Sequence, residues 1–265
     1  MSTLLSEILI VALLGIVQGL TEFLPVSSTG HLVLLRQLVG MPEAGLFLDT
    51  MLHLGTLVAV VVVFWQDVLY MIRRPTSRLT LLVGAGTVVT AVLGLALEDT
   101  VERISQTGST LGWEFLATGF ILWTADRIRA RGTKEMDDIT LRDAVIIGAL
   151  QGAALLPAIS RSGLTIAGAL YCGIRKETAA RFSFLLSVPA IAGAVVLQGA
   201  KLVQGEVESV GTIPLAAGVA AAAVSGYVAV RLMLRILRTG SLKGFAVYVW
   251  ALGIGVLLAQ FFGRL

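Results

Sequence analysis

Residues 143–173 read "DAVIIGALQGAALLPAISRSGLTIAGALYCG", an apolar run broken near its middle by Pro157 and by Ser160-Arg161-Ser162. Both flanks are basic: residues 127–142 carry five Lys or Arg and residues 174–181 carry three. The positive-inside rule assigns both flanks to the cytoplasm. A run with both ends on one side does not cross the membrane once. It is predicted to enter, break at the Pro-Ser-Arg-Ser tip and turn back. Backbone that leaves the helix at that depth is tolerated only where protein or a watery cavity surrounds it.

The remainder of the chain agrees with a membrane setting. The 265 residues are 56% hydrophobic and 14% charged, with a mean hydropathy of +0.89. A soluble domain of this length would be about a quarter charged. The apolar runs are continuous and near helix-spanning length, not alternating ten-residue strands, so the class is all-α polytopic membrane protein. Six crossings are predicted, at 50–72, 79–97, 109–126, 182–201, 212–230 and 245–262. Basic residues gather in 73–78, 127–142, 174–181 and 231–243, whereas 98–110 holds only Arg103 and 204–211 holds none. The net charge of +3 is thus a topology signal and not a nucleic-acid surface. Cys172 stands alone, so no intrachain disulfide forms. No Lys or Arg precedes Arg36, and a cleavable signal peptide is not expected.

A shift of 133 positions lays "GIVQG" (15–19) on "GALQG" (148–152) and Gly30 on Gly163. Each copy runs from Gly-x-x-x-Gly to a Leu-Pro pair and a hydroxyl cluster ending in Gly, with the prolines one position out of register. Each copy is followed by three crossings. An odd number per half gives the halves opposite orientation, the inverted-repeat plan, in which broken helices meet near the midplane. The expected halves are 1–132 and 133–265. Residues 4–40 then form a second re-entrant helix-loop-helix hairpin, whose tip is "GLTEFLPVSSTGH" (19–31), and both termini lie outside.

The two tips carry the chemistry. Gln18 and Glu22, four apart, share a helix face with Gly15 and Gly19, which allow close helix approach. Those glycines serve packing within the chain or a homodimer. Pro25 stops the helix, and Ser27-Ser28-Thr29 reads as the N-cap of a short helix containing His31. Ser160 or Ser162 caps the corresponding helix of the other copy. Two helix N-termini pointing into one cavity suit phosphate, and Arg161 adds a bidentate phosphate donor. A carboxylate, an imidazole and a guanidinium at this depth are functional by default. The plainer readings are an ion pair between repeats for Glu22 and Arg161, an interfacial cap residue for His31, a helix–helix hydrogen bond for Gln18, and capping alone for some of the hydroxyls. His53, beside Asp49, has two readings: a residue that lines the cavity, or, the plainer one, a satisfied boundary histidine. Glu98, Asp99 and Glu102 read as a solvated outer loop. Gly84-x-Gly86 and Gly253-x-Gly255 are packing glycines, since neither follows a strand.

"VQGLTEFLPVSSTGHL" and "PAISRSGLT" resemble the two signature regions of the undecaprenyl-diphosphate phosphatase family, the bacitracin-resistance type, and the similarity runs through the whole chain. Two departures stand out: Gln18 where many relatives have Glu, and Ala158 where the family has Gly. The resemblance implies hydrolysis of undecaprenyl diphosphate to undecaprenyl phosphate and inorganic phosphate, which recycles the lipid carrier for cell-wall glycans. It implies a bacterial cytoplasmic membrane, an active site on the outer side and a divalent cation, Mg²⁺ or Ca²⁺. A diphosphate carries more charge than Arg161 neutralises, which places the metal near Glu22. Ser28 is the expected nucleophile and His31 its general base, with His31 itself or a water activated by Glu22 as open alternatives. Ser160, Ser162 and Thr165 are expected to hold phosphate oxygens with Arg161, and Gln18, Ser27 and Thr29 to contact substrate. The polyprenyl tail stays in lipid or in an apolar groove. The rival class is a transporter, which shares the inverted repeat but releases no phosphate in detergent.

Overall fold

A computed structural model describes residues 2–39, 45–128, 132–204 and 211–263. Its helices are α1 (Ser2–Phe23), α2 (Ser28–Leu38), α3 (Gly45–Val63), α4 (Trp65–Arg73), α5 (Arg78–Thr107), α6 (Leu111–Ile128), α7 (Leu141–Ala153), α8 (Arg161–Tyr171), α9 (Lys176–Val203), α10 (Thr212–Thr239) and α11 (Lys243–Phe261). A short 3₁₀ turn, Met136–Asp138, lies before α7, and among the described residues there is no strand beyond a single bridge between Lys134 and Ile174.

Helix ends follow local chemistry. Pro25 disfavours helical backbone at Leu24, and α1 ends at Phe23. The Thr140 hydroxyl accepts from the Asp143 N–H (3.2 Å), and the Asp143 carboxylate accepts from the Thr140 N–H (2.9 Å), a reciprocal cap that starts α7. Pro157 lies beyond its end. Gly173, at φ +77°, terminates α8 in the left-handed conformation that glycine adopts without strain.

Among the described residues, five helices contain stretches long and apolar enough to cross a membrane: Leu4–Phe23, Arg78–Leu97, Lys176–Ala200, Thr212–Arg238 and Lys243–Phe261. The crossing predicted at 50–72 is not one straight helix. Phe47–Val63 and Trp65–Arg73 meet at 87°, because the apolar run gives way to the amphipathic "WQDVLYMIR", whose Asp67 pairs with Arg181. The segment predicted at 109–126 forms α6, which carries Glu114, Asp126 and Arg127 and does not qualify as a span by composition. Conversely α1, expected as half of a re-entrant hairpin, is long enough to span alone. By contrast α7 and α8, with 13 and 11 residues, are about 20 Å and 16 Å long, too short to cross. The predicted loops at 98–110 and 231–243 are largely helical continuations of α5 and α10. Residues 129–131 and 205–210, within two further predicted loops, lie outside the described residues.

Leu5, Leu9, Leu13, Ile16 and Leu20 form one exposed stripe along α1, and α11 exposes Val247, Ile254, Leu258 and Phe261. Exposed apolar stripes of this length suit lipid as the solvent. Buried contacts rest on small residues. A Cβ on Gly15 would collide with the α10 backbone at Gly218, and one on Gly148 would collide with α5 at Gly86. The Gly-x-x-x-Gly faces of α1 and α7 are therefore consumed inside the chain and leave nothing for a homodimer at those positions. The most extensive packing pairs α1 with α10, α3 with α10, α6 with α11 and α5 with α7. Phe23, Phe64 and Phe184 form an aromatic centre beneath the first tip, with Phe23 and Phe184 edge to face at 5.4 Å.

Candidate active site

Ser27 precedes α2 with φ 68°, the only non-glycine left-handed backbone among the described residues. Such a conformation costs about 1–3 kcal/mol and persists only where neighbours over-determine it. Three contacts do so. The Ser27 hydroxyl donates to the Pro157 carbonyl and accepts from the Gly30 N–H (3.3 Å), and His31 Nδ1 donates to the Ser27 carbonyl (2.6 Å). Ser160 repeats the cap one repeat-length later, accepting from the Gly163 N–H at 3.1 Å. The spacing of 133 that aligned Gly30 with Gly163 thus aligns the two capping serines as well.

The tips are bonded to one another. Besides Ser27 to Pro157, the Ser162 hydroxyl donates to the Leu24 carbonyl (3.2 Å). α6 supports the second tip from behind. Glu114 Oε2 accepts from the Ala158 N–H (2.7 Å), while the Thr118 hydroxyl donates to the Ala158 carbonyl (3.0 Å) and accepts from the Ser160 N–H (3.2 Å). These buried groups explain why α6 contains acidic and hydroxyl residues that lower its hydropathy. Thr110 fixes the other Glu114 oxygen at 2.6 Å.

Glu22 is the centre of the site. It is 5% exposed, and its Oε1 takes a charge-assisted bond from Arg161 of α8. Its Oε2 accepts from Ser28 Oγ (2.6 Å) and Gln18 Nε2 (2.9 Å), and His53 Nε2 lies 3.2 Å away. Thus Gln18, Glu22, Ser28 and Arg161, expected from sequence, converge, and His53 of α3 joins them. A cavity of about 290 Å³ opens beside this cluster. Glu22, Ser27, Ser28, Thr29, Ser160 and Arg161 line one side, and Leu155, Leu156, Ala190, Ile191 and Ala194 give it an apolar wall. The first turns of α2 and α8 therefore face one chamber, an arrangement suited to anions.

Three expected residues have other surroundings. His31 does not contact Ser28. Its Nδ1 bonds the Ser27 carbonyl, and its Nε2 meets the Tyr248 hydroxyl at 2.8 Å, with the rings stacked 5.7 Å apart. A carbonyl only accepts, so Nδ1 carries a proton, while Nε2 pairs with a Tyr248 hydroxyl that can donate or accept. The hydrogen bond expected between His31 and Ser28 is absent, and the Ser28 hydroxyl donates to Glu22 instead. Thr165 is fully buried and bonds the Arg161 carbonyl (2.9 Å) and Ser183 (2.6 Å), away from the cavity. Ser162 spends its hydroxyl on Leu24, 3.3 Å from Ser160.

The cavity also contains residues that sequence reading did not select: His53 and Thr50 of α3, Thr90 of α5 and Gln151 of α7. Gln151 had a signal, because it sits one repeat-length after Gln18. Its Nε2 donates to Thr90 (3.2 Å), and that hydroxyl lies 2.9 Å from the Gly148 carbonyl. For His53 the sequence offered the cavity only as the less plain of two readings and gave no sign of Glu22, since only the packing of α3 beside α1 brings the two together.

Comparison with known proteins shows the family. A protein named undecaprenyl-diphosphatase 3 from Bacillus cereus is 55% identical over 249 residues, covering 94% of this chain and 96% of that one. An undecaprenyl-diphosphatase from Carboxydothermus hydrogenoformans is 51% identical over 254 residues, covering 95% and 97%. One from Geobacter sulfurreducens is 43% identical over 270 residues, covering 97% and 100%. Residues 11–255 match the family described as bacitracin resistance protein BacA, and the matched region contains both tips and every residue of the Glu22 cluster: the chain belongs to that family.

Proposed function

We infer that this chain hydrolyses undecaprenyl diphosphate to undecaprenyl phosphate and inorganic phosphate. The observation that carries the reading is Ser28 Oγ, 2.6 Å from a buried carboxylate that also holds Arg161, at a cavity with one apolar wall. The diphosphate head would lie between the first turns of α2 and α8, where Thr29 and Ser160 offer hydroxyls. The polyprenyl tail would leave along the α9 side, past Ile191 and Ala194, toward lipid.

The chemistry follows from who holds whom. Glu22 Oε1 holds the Arg161 guanidinium. A diphosphate competes for the guanidinium and draws it off Oε1, which leaves the carboxylate able to take the Ser28 proton. Ser28 Oγ then attacks the terminal phosphorus in line, and the bond to the bridging oxygen breaks. Undecaprenyl phosphate departs, with Arg161 and the helix N-termini stabilising charge on the transferred phosphoryl. Water attacks the phosphorus of the phosphoserine and gives a proton to solvent, the Oγ–P bond breaks, Glu22 returns its proton to Ser28 Oγ, and inorganic phosphate leaves. His31 serves as a positioning residue, fixing the strained Ser27 backbone and hence Ser28.

The divalent cation implied by the family fits the donors present. Gln18 Oε1 is buried and has no hydrogen-bond partner among the described residues, and Glu22 is the carboxylate on the same helix face. Hard oxygens suit Mg²⁺ or Ca²⁺, and two protein oxygens leave most of the coordination shell to diphosphate and water. Such an ion would neutralise diphosphate charge. Gln18→Glu adds a second carboxylate and is expected to lower the Mg²⁺ concentration for half-maximal phosphate release several-fold, and to strengthen binding of Mn²⁺ to the substrate-free protein, read by electron paramagnetic resonance. An unchanged requirement and unchanged Mn²⁺ binding would remove Gln18 from the cation site.

The inverted repeat is part of the same proposal, with halves 1–132 and 133–265. What supports it is exchange in the packing. Shifted by 133 positions, α1 corresponds to α7 and α5 to α10, and each short-tipped helix packs on the other half's long one: α1 on α10, α7 on α5. α6 corresponds to α11 and α3 to α9, and these equivalents pack on each other. In this reading α7 and α8 form a re-entrant hairpin, α1 and α2 its counterpart, and both termini and the site face outward across a bacterial cytoplasmic membrane. A membrane-impermeant thiol reagent on single cysteines placed near either end, in a Cys172→Ser background, is expected to label both in intact cells. Protection of either end breaks the three-plus-three plan.

The decisive assay is phosphate release from undecaprenyl diphosphate by purified protein in detergent, where transport has no meaning. Release at several turnovers per second is expected; binding without release would favour a carrier of lipid phosphate.

A further inference from the structure

His53 stands outside both signature stretches and enters the site only through the packing of α3. Its Nδ1 lies 2.6 Å from the Asp49 carbonyl, one turn earlier on its own helix, and a carbonyl only accepts. Nδ1 is therefore a donor, and the ring is locked in orientation. The other nitrogen, Nε2, is 3.2 Å from Glu22 Oε2, an oxygen that also accepts from Gln18 and Ser28. A carboxylate oxygen offers Nε2 nothing to accept, so Nε2 is a donor too. Asp49 is itself fixed. Its Oδ1 receives Arg36 Nη1 at 3.1 Å, and that ion pair is buried, with side chains 10% and 7% exposed. Arg36 lies two turns after Ser28 on α2. One short helix thus delivers the hydroxyl to Glu22 and braces the α3 turn whose histidine meets the same carboxylate oxygen.

We propose that His53 is a positioning residue for Glu22: its Nε2–H, with the Gln18 amide, aims Oε2 at the Ser28 hydroxyl. The role belongs to the donor and not to proton exchange by the ring. Two fixed donors on Oε2 set the carboxylate plane, and Oε1 is left to Arg161. When substrate draws Arg161 away, His53 and Gln18 are what keep Glu22 from following it. Loss of one of the two lets the carboxylate swing, and a misplacement of about 1 Å between base and nucleophile costs on the order of 10²-fold in rate.

The proposal rests on the Ser28–Glu22 reading of the phosphatase, and its test keeps the two separable. Phosphate release is measured for the parent, His53→Leu and His53→Gln, each purified in detergent, with thermal unfolding and gel-filtration profile as controls. His53→Leu removes the donor; His53→Gln restores an N–H at similar reach without an imidazole. The expected result is a kcat lowered on the order of 10²-fold in His53→Leu with KM within about threefold, and a kcat within about fivefold of the parent in His53→Gln. Parent-like turnover in His53→Leu overturns the role. So does a His53→Gln protein as slow as His53→Leu, which would make the ring an acid or base, and so does a loss confined to KM, which would make it a substrate contact. Should His53→Leu unfold, His53→Met supplies the donor-free side chain. An inactive parent would defeat the phosphatase reading itself, not the assignment of His53.

Discussion

Ser28→Ala protein is expected to fold normally and to release phosphate at least about 10³-fold more slowly than the parent, the scale on which loss of an activated nucleophile shows. Folding should survive because the hydroxyl donates to Glu22 and caps nothing; the cap of α2 is Ser27. The substitution leaves Glu22 Oε2 with the Gln18 and His53 contacts, so no buried carboxylate is stranded. A second readout separates the open mechanisms. With undecaprenyl diphosphate labelled at the terminal phosphate, an acid quench should trap label on the parent at Ser28, identified by peptide mapping, and none on Ser28→Ala. Label on His31 would move the nucleophile to the imidazole. Label on neither residue, together with substantial turnover in Ser28→Ala, would favour direct attack by water. Glu22→Gln tests the partner in that step. It keeps the shape but cannot take the proton, and it leaves Arg161 without its counter-charge. It should therefore lose as much activity as Ser28→Ala and bind the diphosphate no more weakly.

How much of this was legible in the chain depends on how local the cause was. The two helix breaks were visible because Pro25, Pro157 and the hydroxyl clusters act within a turn or two. The offset of 133 that matched five-residue stretches also matched the two serine caps, and it laid Gln18, which bonds Glu22, on Gln151, which lines the cavity. Hydropathy reads α1 and α6 in opposite ways. α1 passes as a span although it carries Gln18 and Glu22, because an apolar stripe on one side is exposed and the helix packs on α10 on the other. α6 carries Glu114 and Thr118 to satisfy backbone groups of the second tip, groups that no window over residues 109–126 contains. The pairing of His53 was illegible for the same reason. Its partner Glu22 lies on another helix, and nothing in the intervening residues encodes their approach. Thr165 erred the other way. Four residues after Arg161 on one helix, its hydroxyl bonds back to that residue's carbonyl and never reaches the chamber.

The contact between the tips is also where a single methyl group should do most harm. Gly30 lies in the first turn of α2, and a Cβ there would sit 2.6 Å from the Phe115 ring and 3.1 Å from both Cα and Cβ of Ala158. Phe115 and Ala158 are fully buried, and the Ala158 backbone is tied at both ends to Glu114 and Thr118, so neither neighbour has room to retreat. Gly30→Ala should therefore push α2 away from the second tip. Overpacking of this kind costs about 1–3 kcal/mol. The larger effect is on turnover. Ser27 to Pro157 and Arg161 to Glu22 bridge the same seam, and Ser28 rides on the turn that moves. A displacement of about 1 Å should lower kcat on the order of 10²-fold. Phe115→Leu, nearly silent for catalysis by itself, removes the closest obstacle and should recover part of the loss in the double variant. That coupling, measured by a double-mutant cycle in both unfolding temperature and kcat, is the diagnostic, since independent sites would give additive changes. Ala158→Gly, the residue usual in the family, should add to the recovery by removing one of the two remaining contacts. Full activity in Gly30→Ala alone would mean that the tips are not pressed together as described, and the shared chamber would lose its second wall.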